Sequence, residues 1–175
     1  MRLSAKRIGL GALIAFFAVG LAGNAFAETK KLLGTYQDWD AFTLTTDNGQ
    51  KMCYVVSLPK EMAPKGVNRG QTYLTVTHSP ARKVRDEVNV IAGYTYQKSS
   101  EVTFDIGGEK KTLFTAGDAA WAYDPASDRA IVAALKKGIT LTVTGKSSRG
   151  TTTHDTYSLR GFSNAYASAS AACPS

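Results

Sequence analysis

The sequence predicts a mainly β protein, either a single antiparallel sandwich or a closed barrel, with one or two short helices. Three observations predict it. Short segments in which apolar and polar residues alternate run through most of the chain. Asn-Gly and Gly-Gly pairs stand between them as hairpin signals. Once a leader is set aside, 148 residues remain, which suits one domain with a substantial core.

The leader occupies residues 1–27. Arg2, Lys6 and Arg7 form a basic start, Ile8 to Ala22 an apolar run, and Ala25-Phe26-Ala27 a small-x-small cleavage site. That order marks a secretory signal cut after Ala27, and it leaves residues 28–175 as the mature domain. The compartment beyond is the periplasm, the cell envelope or the medium, where disulfides form. No later stretch approaches the roughly 20 apolar residues of a spanning helix.

Eight or nine strands are expected. Asp47-Asn48-Gly49 separates Ala41–Thr45 from Lys51–Leu58 as a first hairpin. Leu74 and Val76 point together in the next strand, and Val88, Val90, Ala92, Tyr94 and Tyr96 share a face of another. Gly107-Gly108 divides Val102–Ile106 from Lys110–Phe114. Ile139, Leu141 and Val143 alternate with three threonines, a half-buried strand with a β-branched outer face. The Gly145–Gly150 stretch turns into the last strand, which carries His154.

The first helix opens at Pro125-Ala126-Ser127-Asp128 and closes at Lys136-Lys137-Gly138, with Ile131, Ala134 and Leu135 as its buried stripe. The second takes Ser163 as N-cap and runs to about Ala172; its weak apolar face places it on the domain surface. Residues 63–70 and 80–86 read as the long loops.

Cys53 and Cys173 are the two cysteines. An oxidising compartment favours one bridge between them, and two free buried thiols are the alternative. By chain entropy, a bridge closing so long a loop is worth roughly 5 kcal/mol.

Net charge is +7, of which the leader holds +3, leaving about +4 on the mature chain. That gives mild attraction to acidic surfaces and no nucleic-acid footprint. No catalytic residue, metal site or cofactor is expected. His154 and Asp155 are strand neighbours facing opposite ways, so they form no base–orienter pair. His78 reads as a core-edge histidine. Gly145-Lys146-Ser147 lacks the upstream glycine and following helix of a phosphate loop. Asp38/Asp40 and Asp86-Glu87 read as turn or surface charges, and Trp39, Trp121 and Tyr73 as core and sheet packing.

The run Ser147-Ser148-Arg149-Gly150-Thr151-Thr152-Thr153-His154-Asp155-Thr156-Tyr157-Ser158-Leu159-Arg160-Gly161-Phe162 resembles the invasion associated locus B family of alphaproteobacterial envelope proteins. Cys53-Tyr54-Val55-Val56, Arg69-Gly70, Ala120-Trp121-Ala122 and Ala172-Cys173 agree with it. The resemblance implies an exported, non-enzymatic protein with a link to host-cell, notably erythrocyte, invasion. It departs from the family at Ala41 and Phe42, where members often carry a further cysteine. The expected partner is a protein or glycan at the envelope or on a host cell. The cations expected to meet it are Arg69, Arg82, Lys83, Arg85 and Arg149, with Arg149 bracing a neighbouring loop as the favoured alternative.

Overall fold

The structure is a computed structural model that describes residues 28–174. The leader lies outside the described residues. Eleven strands form one antiparallel sheet. They are β1 (Thr29–Tyr36), β2 (Trp39–Thr45), β3 (Lys51–Ser57), β4 (Glu61–Ala63), β5 (Tyr73–Ser79), β6 (Val84–Ile91), β7 (Glu101–Ile106), β8 (Glu109–Ala116), β9 (Ala119–Trp121), β10 (Thr140–Lys146) and β11 (Thr152–Ser158). Helices α1 (Pro125–Lys137) and α2 (Phe162–Ala172) complete the domain.

Strand order is β1-β2-β3-β5-β6-β9-β8-β7-β10-β11-β4. The closed barrel is therefore corrected: β1 and β4 remain as edges, and no ladder joins them. The sheet nevertheless bends far enough for its two halves to touch. The Trp39 indole N–H donates to the Ser158 carbonyl at 2.9 Å, and the Asp38 N–H donates to Arg160 O at 3.3 Å.

Alternation sets which face turns inward. Val55, Leu74, Val76, Val88, Val90, Phe104, Leu141, Val143 and Tyr157 share one core. The hairpins at 46–50 and 107–108 fall where Asn-Gly and Gly-Gly place them. Ile139 is an exception: it precedes β10 and stands 77% exposed. The Asp124 carboxylate caps α1, accepting from the Ser127 N–H at 2.7 Å, and Pro125 follows as the first helical residue. Gly138 ends α1 in an extended conformation, so it serves packing and not a left-handed cap. A Cβ there would stand 2.5 Å from Ile106 Cγ2.

Helix α2 departs most from expectation. Ser163 does not cap it; Gly161 does, at φ +90. A Cβ at Gly161 would fall 1.8 Å from the Tyr36 carbonyl oxygen, so only glycine fits. The helix lies at the surface as expected, with Ser163, Asn164, Ala167 and Ala171 exposed, but its inner face is closely packed. Phe162, Ala165 and Ala169 are buried against β1, β2 and β3, and Phe162 meets Trp39 edge-on at 4.8 Å between centroids. Alanine supplies a close-packing face here, which is why a weak apolar pattern misleads.

Cys53 on β3 and Cys173 just past α2 form the disulfide, with Cα atoms 5.8 Å apart. Beside it, a buried polar cluster docks the helix. His78 Nε2 lies 2.9 Å from Ser170 Oγ, and its Nδ1 accepts from the Asp86 N–H at 3.2 Å. Tyr166 OH donates to Asp86 Oδ1 at 2.6 Å. Burial pushes the His78 pKa down; Arg85 and Lys136 add to this, and Asp86 opposes it. The imidazole is therefore neutral, and Nδ1 is free to accept.

Replacing both cysteines by alanine is expected to lower unfolding free energy by about 3–5 kcal/mol, read as a lower urea midpoint. Acid provides a second check. The lowered pKa of His78 means the unfolded chain binds its proton first, so stability falls as pH drops below about 6.5. Asp128 acts oppositely. Burial raises its carboxyl pKa to about 6, so its penalty grows between about pH 4 and 6. Asp128→Asn is expected to be more stable than the parent at pH 7 and level with it near pH 4. His78→Asn is expected to close part of its stability deficit between pH 6.5 and 5. Chemical melts across that range read both differences.

Candidate functional site

The five cations named from the sequence do not form one patch. Arg69 is corrected from a surface residue to an internal brace: its side chain is only 6% exposed. Both terminal nitrogens donate to Asp155, NH1 to Oδ1 and NH2 to Oδ2, each at 2.6 Å. Nε and NH2 also donate to the Ala92 carbonyl at 3.1 and 2.8 Å. The Tyr94 ring lies 5.0 Å from the guanidinium carbon. The carboxylate beside it holds the guanidinium firmly protonated. Two glycines complete the junction: the Gly70 N–H donates to Gly93 O at 2.8 Å, and a Cβ on Gly93 would sit 2.4 Å from Gly70 O.

Arg82, Lys83 and Arg85 lie at the β5–β6 corner, where a short 3-10 helix (Pro80–Arg82) replaces the expected loop. Arg82 is exposed and donates to Glu87 Oε1 at 3.0 Å and Ser79 Oγ at 3.1 Å. Lys83 is exposed in the left-handed region, and Arg85 is half-buried within β6. Arg149 stands exposed at the β10–β11 turn, beside a cleft of about 490 Å³ that Asn68, Tyr94 and Thr151 also line. No bond from Arg149 braces a loop among the described residues.

The two histidines also separate. His154 is exposed, with Nδ1 3.0 Å from Thr144 Oγ1, while its neighbour Asp155 faces inward. Among the described residues no group of three His, Cys, Asp or Glu side chains is placed to hold a metal ion.

An open groove of about 1000 Å³ lies on the outer face of β3, β5, β6 and β9. Ladder register builds its floor in cross-strand rows. Tyr54, Thr77 and Glu87 form one row; Val56, Thr75, Asn89 and Trp121 form the next. Leu58, Pro59 and Met62 overhang one end, with Tyr73 beside them. Lys30 and Arg82 stand at the other, where Lys30 Nζ sits 4.1 Å above the Phe42 ring and 5.8 Å from that of Tyr54. Trp39 packs in the core as expected, but Trp121 and Tyr73 do not: they line this groove. One sequence signal marks it. Met52-Cys53-Tyr54-Val55-Val56 is apolar on both strand faces, so the outer face of β3 has apolar surface to cover.

A single bent sheet, a helix locked on by a disulfide, and an open outer groove together define a small disulfide-bonded β protein. The family model described as "Invasion associated locus B (IalB) protein" matches residues 39–170. The chain belongs to the invasion associated locus B family. No curated protein matches it, and no solved structure does.

Breaking the buried ion pair on one side is expected to cost about 3–5 kcal/mol, because Asp155 is left charged and unpaired in Arg69→Met. The double variant Arg69→Met/Asp155→Leu is expected to recover part of that loss. Urea unfolding of the four-protein cycle measures the coupling.

Proposed function

We propose that this protein is exported, is not an enzyme, and works by binding a protein or glycan at the bacterial envelope or on a host-cell surface. The outer groove is the observation that carries the reading. It is concave, mostly apolar, and mounted on four hydrogen-bonded strands whose other face is the core. Such a surface is pre-formed, so little ordering opposes binding. Family membership supports an envelope setting and ties the reading to invasion. Among the described residues no helix is long and apolar enough to cross a membrane, which fits a role at a surface.

The groove and the basic corner at Arg82 adjoin, so a partner seated on both meets apolar floor and cationic rim together. Lys83 follows Arg82 at that corner, whereas Arg85 lies toward His78 and Tyr166 on the α2 side. Arg149 lies apart from it and lines no part of the groove.

Saturable binding to erythrocyte membranes or to envelope vesicles tests the proposal, with the protein immobilised and the membranes as analyte. Trp121→Ala and Arg82→Glu/Lys83→Glu are expected to lower retention at least tenfold, whereas Arg149→Glu is expected to leave it within twofold. Retention by neither membrane, or equal retention by all variants, overturns the groove as the binding surface. Retention by envelope vesicles alone assigns the protein to envelope maintenance.

A further inference from the structure

The groove is graded along its length, and the gradient specifies a ligand chemistry. One end carries the cations Lys30 and Arg82, with Glu87 as the one carboxylate among the lining residues. The Arg82–Glu87 pair is solvent-exposed, which makes it weak and easily exchanged for another anion. No charged side chain lines the other end, which is made of Leu58, Pro59, Met62 and Tyr73. Leu58 and Met62 are 63% and 44% exposed there, unusual positions for large apolar side chains to face water together. From Met52 at the charged end to Leu58 at the apolar end the strand rises about 20 Å, the span of a long acyl chain.

Three of the polar side chains between the two ends, those of Thr72, Thr75 and Asn89, are already committed. Thr75 Oγ1 donates to Asn89 O at 3.5 Å, Asn89 Nδ2 donates to Ala120 O at 3.1 Å, and Thr72 Oγ1 donates to Ala92 O at 3.0 Å. Each spends a donor on the protein's own main chain, so these three offer the groove mainly methyl and methylene surface. Val56 and Trp121, at the two ends of the central row, add aliphatic and aromatic surface.

We infer that the groove takes the acyl chain of a single-chain anionic amphiphile. Its headgroup lies between Lys30 and Arg82, and its tail runs over Val56 and Trp121 to Leu58 and Met62. The inference rests on the reading of the outer groove as a binding surface, and it seats an amphiphile there in place of a protein or glycan. Its test needs no macromolecular partner, so the two readings can fail separately.

The test titrates sodium octanoate, decanoate, dodecanoate and tetradecanoate, each below its micelle concentration, into the protein as exported. Calorimetry reads binding, and Trp121 emission reports occupancy. One ligand per chain is expected. Affinity should rise about threefold to fourfold per added methylene while the tail lies within the groove. Leu58→Asp and Met62→Asp change exposed side chains, so they keep the fold, and each is expected to weaken dodecanoate at least tenfold. Lys30→Glu/Arg82→Glu is expected to weaken dodecanoate while leaving neutral dodecyl maltoside unchanged. Affinity independent of chain length overturns the inference, as does affinity unchanged in Leu58→Asp and Met62→Asp. Binding of a soluble oligosaccharide, with no response to any carboxylate, also overturns it and gives the groove to a glycan, with the binding function intact.

Discussion

The pairing of Arg69 with Asp155 is the interaction on which the shape of the sheet depends. Arg69 precedes β5, Ala92 follows β6, and Asp155 lies on β11 near the far edge. One guanidinium therefore holds two parts of the chain that lie on different strands of the bent sheet. The chain itself enforces the bend: three residues separate β3 from β4, which pairs with β11, and Tyr96 bridges to Ser147. A buried cation that must keep its anion holds that bend shut, because separating them strands both charges in an apolar interior. Gly70 and Gly93 let the backbones come close enough for the pair to form. At the other end of β11 the Trp39–Ser158 bond repeats the closure with neutral groups.

Much of this fold was legible in the sequence because it rests on local rules. Strict alternation fixed the inward faces of β5, β7 and β10, and Asn-Gly and Gly-Gly fixed two hairpins. The bounds of α1 followed from the placement of Pro125 and of Lys136-Lys137-Gly138. What escaped depends on distant partners. Strand β1 carries two lysines and a glycine, and β4 and β9 have three residues each, so none shows a clear period. The burial of α2 rests on alanines that pack closely only because β1–β3 lie beneath them. Arg69 looked like a surface cation because its counter-ion lies 86 residues away. The count of eight or nine strands fell short for the same reason, and the closed-barrel alternative gave way to a sheet with two free edges.

The candidate site was legible only in part. Arg82 and Lys83 stand near the groove, but the groove itself comes from strand register. Tyr54, Val56, Thr75, Asn89 and Trp121 become neighbours only once β3, β5, β6 and β9 are paired. Because the same strands present the core on their other face, the floor is as rigid as the core. A ligand there meets a surface fixed by packing, and specificity rests with the side chains at its two ends.

The covalent tie between Cys53 and Cys173 also has a temporal meaning. Strands β1 to β3 precede α2 by about a hundred residues, and the thiol that locks them lies 120 residues beyond Cys53. These strands thus wait, uncovered, while the rest of the sheet is made. A chain that stops short of α2 lacks both the lid and the lock, and the apolar surface under α2 stays open. The strands made first are the ones concealed only when α2 arrives.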